Sequence, residues 1–335
     1  MRPTSALDLI GRVILLVSPR FFDYEQRIVA HLRSRGAVAE WTNERPGHSA
    51  LARGLTRLSP AAMSPIAERY YGRVLDDLQE RRFTDILFIS PESCTPRVVR
   101  QFRERFPGSR LLLYMWDSFE NKGRNDPPGF IRLFDRALSF DPVDAERFGI
   151  PFRPLFYSDE TGSRPTLPPE FAFSFVGTIH SDRYRVLQAL CRRADEAGLP
   201  YFVYPFLQSH LVYWLHRSTR REYFRTRPAD FRFEPLPYPE VLRVTGASTA
   251  IIDVEHPRQR GLTMRTLEVL GSGKKLVTTN ALVKDYPFFS EDRIRVVDRR
   301  DPLVDPDFFR TPASPLPAVF RAEYGLAGWV DAIFR

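Results

Sequence analysis

Short, unbroken runs of apolar residues alternate along the chain with longer segments whose apolar residues recur every three or four positions. The runs have the length of buried strands, and the longer segments have the period of helices that cover one side of a sheet. Strands separated in this way by helices indicate a parallel sheet covered on both faces. In the first half the pattern predicts strands at Arg12–Ser18, Val38–Trp41, Thr84–Ile89, Leu111–Met115 and Ala137–Phe140, and helices at Tyr24–Arg35, Pro65–Glu80 and Pro96–Phe106.

The same alternation starts again after a segment rich in proline. Residues Pro151–Pro169 interrupt the pattern and are the best candidate for a linker. We therefore expect two α/β domains, residues 1–160 and 170–315, followed by a C-terminal helical segment, residues 316–335. In the second half the pattern predicts strands at Phe171–Val176, Tyr201–Tyr204, Ala250–Val254 and Lys275–Thr279, and helices at Tyr184–Ala197, Pro239–Arg243, Met264–Leu270 and Ala318–Phe334.

Composition and charge narrow the class of protein. Apolar residues make up 43% of the 335 residues and charged residues 27%, as in ordinary globular proteins. The two cysteines, Cys94 and Cys191, lie far apart and support neither a disulfide framework nor a zinc site. No apolar stretch approaches the ~20 residues of a membrane span, and the run Val13–Val17 is too short for a signal peptide. We therefore expect a cytoplasmic protein.

The net charge of +8 favours anionic partners such as nucleotide diphosphates, nucleic acid or lipid headgroups. Solvated helix faces without any partner are the alternative. The stretch Tyr201–Arg227 is aromatic and basic, and it also has two interpretations. It is either a patch that binds nucleic acid or a membrane surface, or a variable insertion.

Glycine and polar residues are densest between the strand Ala250–Val254 and the helix that follows it. Gly261 allows the backbone to approach a ligand closely, and a helix start offers N–H donors to phosphate. Thr263 is placed to cap that helix and Arg265 to bind phosphate through two N–H groups. Glu268 projects from the same helix face and suits the hydroxyls of a ribose. The alternative is a capped helix whose Arg265 and Glu268 form a surface pair.

This segment resembles the donor-site segment of GT-B glycosyltransferases, in particular the bacterial enzymes of lipopolysaccharide and capsule synthesis. The segment Phe175–Thr178 followed by Arg183 is similar to the strand, glycine turn and phosphate-side arginine of the same enzymes. The resemblance covers about residues 171–300 well and the first half only in outline. The shared positions are Gly261, Leu262, Arg265, Glu268, Leu270, Gly271, Gly273, Lys274, Leu276, Thr278 and Asn280.

The resemblance implies an α/β fold with two Rossmann-like domains facing each other across a cleft and a final helix that returns toward the N-terminal domain. It implies transfer of a sugar from a UDP- or CMP-linked donor to a surface glycan or glycolipid at the inner face of a membrane, without a metal or cofactor and with no nucleic-acid partner. The ribose would be bound by Glu268 and the diphosphate by the helix start. The implied nucleotide-sugar residues are Gly177, Thr178, Arg183, Gly261, Leu262, Thr263, Met264, Arg265, Glu268 and Asn280.

A general base for the acceptor hydroxyl is expected in the first half, where acidic residues follow predicted strands. Asp117 comes after the strand Leu111–Met115 and next to Trp116, and it is the first candidate. Asp23, after the first strand, is the second, with Glu25 beside it. The alternatives are an Asx turn at Asp117 and helix capping at Asp23.

Two other functions fit the same residues. A sugar-nucleotide epimerase shares the two-domain layout and a ribose-binding glutamate. A non-catalytic scaffold of the same fold would bind a polysaccharide or nucleic acid without any reaction.

Overall fold

The computed structural model describes residues 7–45, 60–120, 126–158, 167–257 and 260–335. The chain divides into two compact units. Unit 1 consists of Met1–Leu155 and Leu326–Arg335, and unit 2 of Phe156–Gly325. Of the proline-rich segment predicted as a linker, residues 159–166 lie outside the described part.

Unit 1 contains a parallel sheet whose order, among the described strands, is β2-β1-β3-β4-β5. Every residue of β3 is buried, as are all but the first of β4, because helices cover both faces of the sheet. The elements are β1 (Val13–Ser18), α1 (Tyr24–Ser34), β2 (Val38–Asn43), α2 (Pro60–Asp77), β3 (Asp85–Ile89), α3 (Pro96–Arg105), β4 (Arg110–Met115), α4 (Pro127–Ile131), β5 (Arg136–Ser139) and α5 (Pro142–Phe148).

Unit 2 repeats this arrangement with the order β7-β6-β8-β9-β10 among its described strands, again all parallel. The predicted α/β class with two parallel sheets is confirmed. Its elements are β6 (Phe171–Thr178), α6 (Arg183–Glu196), β7 (Tyr201–Phe206), α7 (His210–Thr219), α8 (Tyr238–Gly246), β8 (Ser248–Asp253), α9 (Met264–Gly271), β9 (Lys275–Thr278), β10 (Ile294–Val296), α10 (Asp307–Arg310) and α11 (Ala318–Tyr324).

The single helix predicted over Ala318–Phe334 is wrong. Gly325 has an extended backbone with φ −75° and ψ 161°, and it separates α11 from a further helix, α12 (Leu326–Phe334). The two helices belong to different units. In unit 1, the buried Trp329 of α12 packs edge-on against Tyr114 of β4, with ring centroids 5.0 Å apart.

The strand order has the same consequence in each unit. The first strand lies between the second and the third. The connection after β1 therefore runs toward one edge of the sheet and the connection after β3 toward the other edge. The connections after β6 and β8 diverge in the same way. Ligands of open α/β sheets bind at the carboxyl ends of the strands at such a switch point. The carboxyl edge between β6 and β8 is therefore the first place to look for a site in unit 2.

Candidate functional site

Three neighbouring strands of unit 2 end at one edge, which we call the carboxyl edge of unit 2: β6 at Thr178, β8 at Asp253 and β9 at Thr278. The helices α6 and α9 follow β6 and β8 and run back along the sheet, so both helices begin at this edge. Their N-terminal dipoles add positive potential there.

Arg265, in the first turn of α9, reaches across to the end of β6. Its Nη2 donates to the carbonyl of Val176 at 2.7 Å, and its guanidinium lies 5.4 Å from the ring centroid of Phe175. A Cβ at Gly177 would lie 3.1 Å from Arg265 Nη2 and 3.2 Å from Phe175 Cζ. Gly177 therefore leaves the space in which the guanidinium lies.

Arg183, at the start of α6, connects the ends of β6 and β8. Its Nη1 donates to the carbonyl of Thr178 at 2.7 Å, and its Nε donates to the carbonyl of Val254 at 2.8 Å, as does Nη2. Burial lowers the pKa of Arg183 to about 10, which still leaves the side chain protonated at neutral pH. It brings a positive charge to the switch point.

The start of α9 is fixed by a buried carboxylate. The hydroxyl of Thr263 caps the helix by accepting the backbone N–H of Thr266 at 3.0 Å. The same hydroxyl donates to Asp253 Oδ2 at 2.5 Å, and the Thr266 hydroxyl donates to that oxygen at 2.8 Å. Asp253, the last residue of β8, thus locks the helix start to the sheet.

The turn before α9 is also held by the residue that follows β9. Asn280, just beyond β9, donates through Nδ2 to the carbonyl of Gly261 at 3.3 Å. Its Oδ1 accepts the N–H of Leu282 and caps the 3-10 turn Ala281–Asp285. Leu262, the residue after Gly261, is buried. The structure therefore places Gly261, Leu262 and Asn280 together as the support of the α9 start.

Two further predicted residues lie on α9 itself and are both half-buried. Met264 is the first residue of the helix, and Glu268 lies one turn further along. All ten residues predicted to bind the nucleotide sugar thus lie on β6, at the start of α6, in the turn before α9, on α9 itself or just after β9.

A second set of charged residues lies at the same edge, and the sequence patterns did not single it out. Arg299 donates through Nη1 to Asp182 at 2.7 Å and through Nη2 to the carbonyl of Glu255 at 2.7 Å. The buried carboxylate of Glu255 also accepts the hydroxyl of Thr279 at 2.6 Å. Asp253 and Glu255 are detectable as acids ending a buried strand, whereas nothing in the local sequence marks Arg299.

Two histidines complete the edge, with His180 and His256 ring centroids 5.7 Å apart. The pKa of His180 is lowered to about 4, first by burial and then by nearby positive charge, above all that of Arg183. The edge therefore holds His180 neutral while it concentrates arginine charge, an arrangement suited to a phosphate group.

Left-handed backbone marks both switch points. Phe22 and Asp23 have φ of 47° and 60° in the turn after β1, Ser90 has 39° directly after β3, and Ser181 has 48° in the turn after β6. Each such non-glycine residue costs about 1–3 kcal/mol and persists only where its surroundings fix it, often at functional sites.

The candidate bases lie at the carboxyl edge of unit 1. Asp23 is exposed just before α1, and Asp117 is half-buried, with its Oδ1 accepting the N–H of Ser118 at 3.0 Å. The rings of Phe21 and Trp116 lie 5.8 Å apart, so the two loops meet past the end of β3. The loops that carry the two candidate bases thus contact each other through these rings.

Among the described residues, no group of three or more histidine, cysteine, aspartate or glutamate side chains is placed to hold a metal ion. No helix in the described ranges is both long and apolar enough to cross a membrane.

The chain matches no protein-family model and no curated protein sequence. It is similar in structure to an alpha-glucosyltransferase in complex with UDP and a 13-mer DNA, with a TM-score of 0.59, 12% identity and coverage of 96% of this chain and 95% of that chain. It is also similar to HepE of Anabaena in complex with UDP and glucose, with a TM-score of 0.56, 10% identity and coverage of 96% and 98%. The catalytic domain of starch synthase IV from Arabidopsis thaliana, bound to ADP and acarbose, gives a TM-score of 0.54, 8% identity and coverage of 96% and 95%.

These neighbours have the GT-B glycosyltransferase fold, and the two α/β units of this chain match it.

Proposed function

We propose that this protein is a glycosyltransferase that takes a sugar from a nucleotide-sugar donor bound at the carboxyl edge of unit 2. The observation that carries the proposal is the meeting of Arg183, Arg265 and the capped start of α9 at the ends of β6 and β8. Arg299 lies at the same edge, where its guanidinium is paired with Asp182 and Glu255. A nucleoside diphosphate needs this combination of positive charge and backbone N–H groups.

The chemistry follows from where charge appears during transfer. As the bond between the sugar and the diphosphate breaks, negative charge grows on the departing phosphate. Fixed positive groups already placed at that position lower the barrier because they need no reorganisation. The arginines and the α9 dipole supply this stabilisation in the proposal, without an essential metal ion. Glu268 accepts hydrogen bonds from the ribose hydroxyls.

UDP is the nucleotide we propose first, with CMP as the other candidate. UDP is bound in the alpha-glucosyltransferase and HepE structures. On the acceptor side, Asp117 is the proposed base and Asp23 the second choice. The rings of Phe21 and Trp116 offer an apolar surface on which a sugar can stack.

The proposed acceptor is a surface glycan or glycolipid of the lipopolysaccharide or capsule type. The support is the ordered set of positions from Gly261 to Asn280 that the chain shares with such enzymes.

Replacing the glutamate proposed to bind the ribose tests the donor site. Glu268→Ala should weaken UDP binding in calorimetry about 10- to 150-fold, because hydrogen bonds to a charged group contribute about 1.5–3 kcal/mol. Glu196→Ala, an exposed glutamate at the end of α6, is the matched control and should bind as the unaltered protein does. Equal UDP affinity in Glu268→Ala and the control would show that Glu268 does not bind the ribose.

Acceptor dependence separates the proposed activity from the two rivals. A transferase releases the free nucleoside diphosphate from the donor rapidly only when acceptor glycan is present. Acceptor-independent conversion of the sugar would instead identify an epimerase. If none of the nucleotides UDP, GDP, dTDP, CMP and ADP raises the melting temperature of the protein, a non-catalytic scaffold is favoured.

A further inference from the structure

The helix α7 of unit 2 presents apolar side chains outward. Leu211, Trp214 and Leu215 are 78%, 55% and 59% exposed, and their spacing places them on one face of the helix. The opposite face is anchored by Tyr213, which is fully buried and donates its hydroxyl to the carbonyl of Thr226 at 2.8 Å. A helix held on a protein by one face normally carries polar residues on the other, so this face is unusual.

The segment after α7 continues the same surface. The helix packs against the 3-10 turn Arg221–Tyr223, with the rings of His216 and Tyr223 5.1 Å apart. Phe224, the next residue, is 53% exposed. We call the exposed side chains of Leu211, Trp214, Leu215 and Phe224 the α7 patch.

Positive charge surrounds the α7 patch. Residues 217–227 contain one acidic residue, Glu222, and five arginines, of which Arg221, Arg225 and Arg227 are exposed. The guanidinium of Arg217 lies 5.9 Å from the ring centroid of Trp214. Asp230 is the next acidic residue along the chain after this segment. Its carboxylate accepts the backbone N–H of Arg227.

We propose that the α7 patch and its arginines dock this protein on an anionic lipid surface. An exposed face of tryptophan, leucine and phenylalanine next to arginines is typical of helices that lie in the headgroup region of a membrane. The apolar side chains enter the acyl boundary, and the arginines meet the anionic headgroups.

The composition of the patch favours lipid over nucleic acid. A nucleic acid would use the arginines but gains nothing from two exposed leucines, since it is bound through phosphate contacts and base stacking. Protein interfaces are also enriched in aromatic residues and arginine, so self-association is measured as a separate outcome of the experiment.

The experiment measures binding of the full chain to vesicles by co-sedimentation. We expect binding to vesicles of phosphatidylcholine with phosphatidylglycerol, release at high salt, and little binding to pure phosphatidylcholine. Arg221→Gln with Arg225→Gln should weaken the binding about 25-fold, at roughly fivefold for each basic residue near the surface. Trp214→Ser with Leu215→Ser should weaken it at least as much. Arg220 is left unchanged because its charge acts on His180.

Matched controls use exposed residues of unit 2 outside residues 210–227. Leu303→Ser removes a leucine that is 60% exposed, and Arg192→Gln with Arg310→Gln removes two exposed arginines. These variants should bind vesicles as the unaltered protein does. All variants should keep their far-ultraviolet circular dichroism and nucleotide affinity, so failure of this proposal is distinguishable from failure of the proposed function.

Four outcomes would overturn the proposal. They are no binding to anionic vesicles, equal binding to pure phosphatidylcholine, unchanged binding in both patch variants, and self-association in sedimentation velocity that the patch variants abolish without any vesicle binding. Binding of RNA or DNA that depends on the arginines, with no vesicle binding, would assign the surface to nucleic acid instead.

Discussion

At the scale of single residues, Arg183 and Arg265 at the carboxyl edge of unit 2 differ in how many of their N–H groups donate to backbone carbonyls. Nε, Nη1 and Nη2 of Arg183 each donate to a backbone carbonyl, so this residue contributes its charge and the rigidity of the turn. Arg265 contacts Val176 through Nη2 and lies over the Phe175 ring. Arg265 is therefore the better placed of the two to bind a phosphate through its own N–H groups.

His180 gives the unit 2 edge a pH dependence whose sign is fixed. Its pKa of about 4 in the folded chain lies below the ordinary 6.5, so between these values the unfolded chain binds more protons. His180 therefore lowers the free energy of unfolding as pH falls from 6.5 toward 4. We expect His180→Gln to reduce this acid sensitivity, measured by urea unfolding at several pH values across the window. Parallel loss of stability in both proteins would contradict the assignment.

Some of these residues were predictable from sequence and others were not. A threonine before a helix pattern is a strong cap signal, and Thr263 caps α9 as expected. Arg299 reaches Glu255 from 44 residues away in the chain, and no local pattern reports such a contact. The predicted roles of the site residues in nucleotide binding and catalysis stay predictions.

At the scale of elements, the sequence predicts best where the apolar run is long. The buried strands β1, β3 and β4 appear close to their predicted bounds. The strand β10 was missed because it has only three residues, the middle one is Arg295, and Arg293 directly precedes it. The break at Gly325 was missed because glycine within an amphipathic pattern is often tolerated. Only the surrounding tertiary structure decides such cases.

The start of α9 offers a test that separates stability from binding. Thr263→Ala removes the cap and one of the two hydroxyls donated to Asp253, and should lower the free energy of unfolding by about 1–2 kcal/mol. It should also weaken UDP binding, because the helix start is no longer held in place. Urea unfolding and calorimetry measure the two effects.

Thr95→Ala is the matched control, since Thr95 caps α3 in unit 1 in the same way, by accepting the N–H of Val98. It should cost similar stability and leave UDP binding unchanged. Equal UDP affinities in the two variants would mean that the α9 start does not bind the nucleotide.

At the scale of the whole molecule, one topology occurs twice. Both described sheets have the order 2-1-3-4-5 in local numbering, and the sequence indicated this repetition through two series of apolar strands on either side of a proline-rich segment. The strand order itself came only with the structure, because apolar runs carry no information about which strand pairs with which.

The assignment of the base is tested by two conservative substitutions. Asp117→Asn removes the charge but keeps the shape, and should lower turnover about 10²- to 10⁴-fold with little change in UDP affinity. Asp23→Asn should have a smaller effect. If the Asp117→Asn variant retains most of its turnover and the Asp23→Asn variant loses it, the base is instead Asp23, in the turn after β1.

Hydrogen–deuterium exchange of the full chain with and without UDP tests the central claim most directly, because it locates the nucleotide without a variant. We expect slower exchange in peptides covering residues 175–183 and 260–268, the two segments that form the carboxyl edge of unit 2, and unchanged exchange around the Thr95 cap of α3. Saturating UDP that leaves both segments unprotected, or that protects only other parts of the chain, would contradict the account.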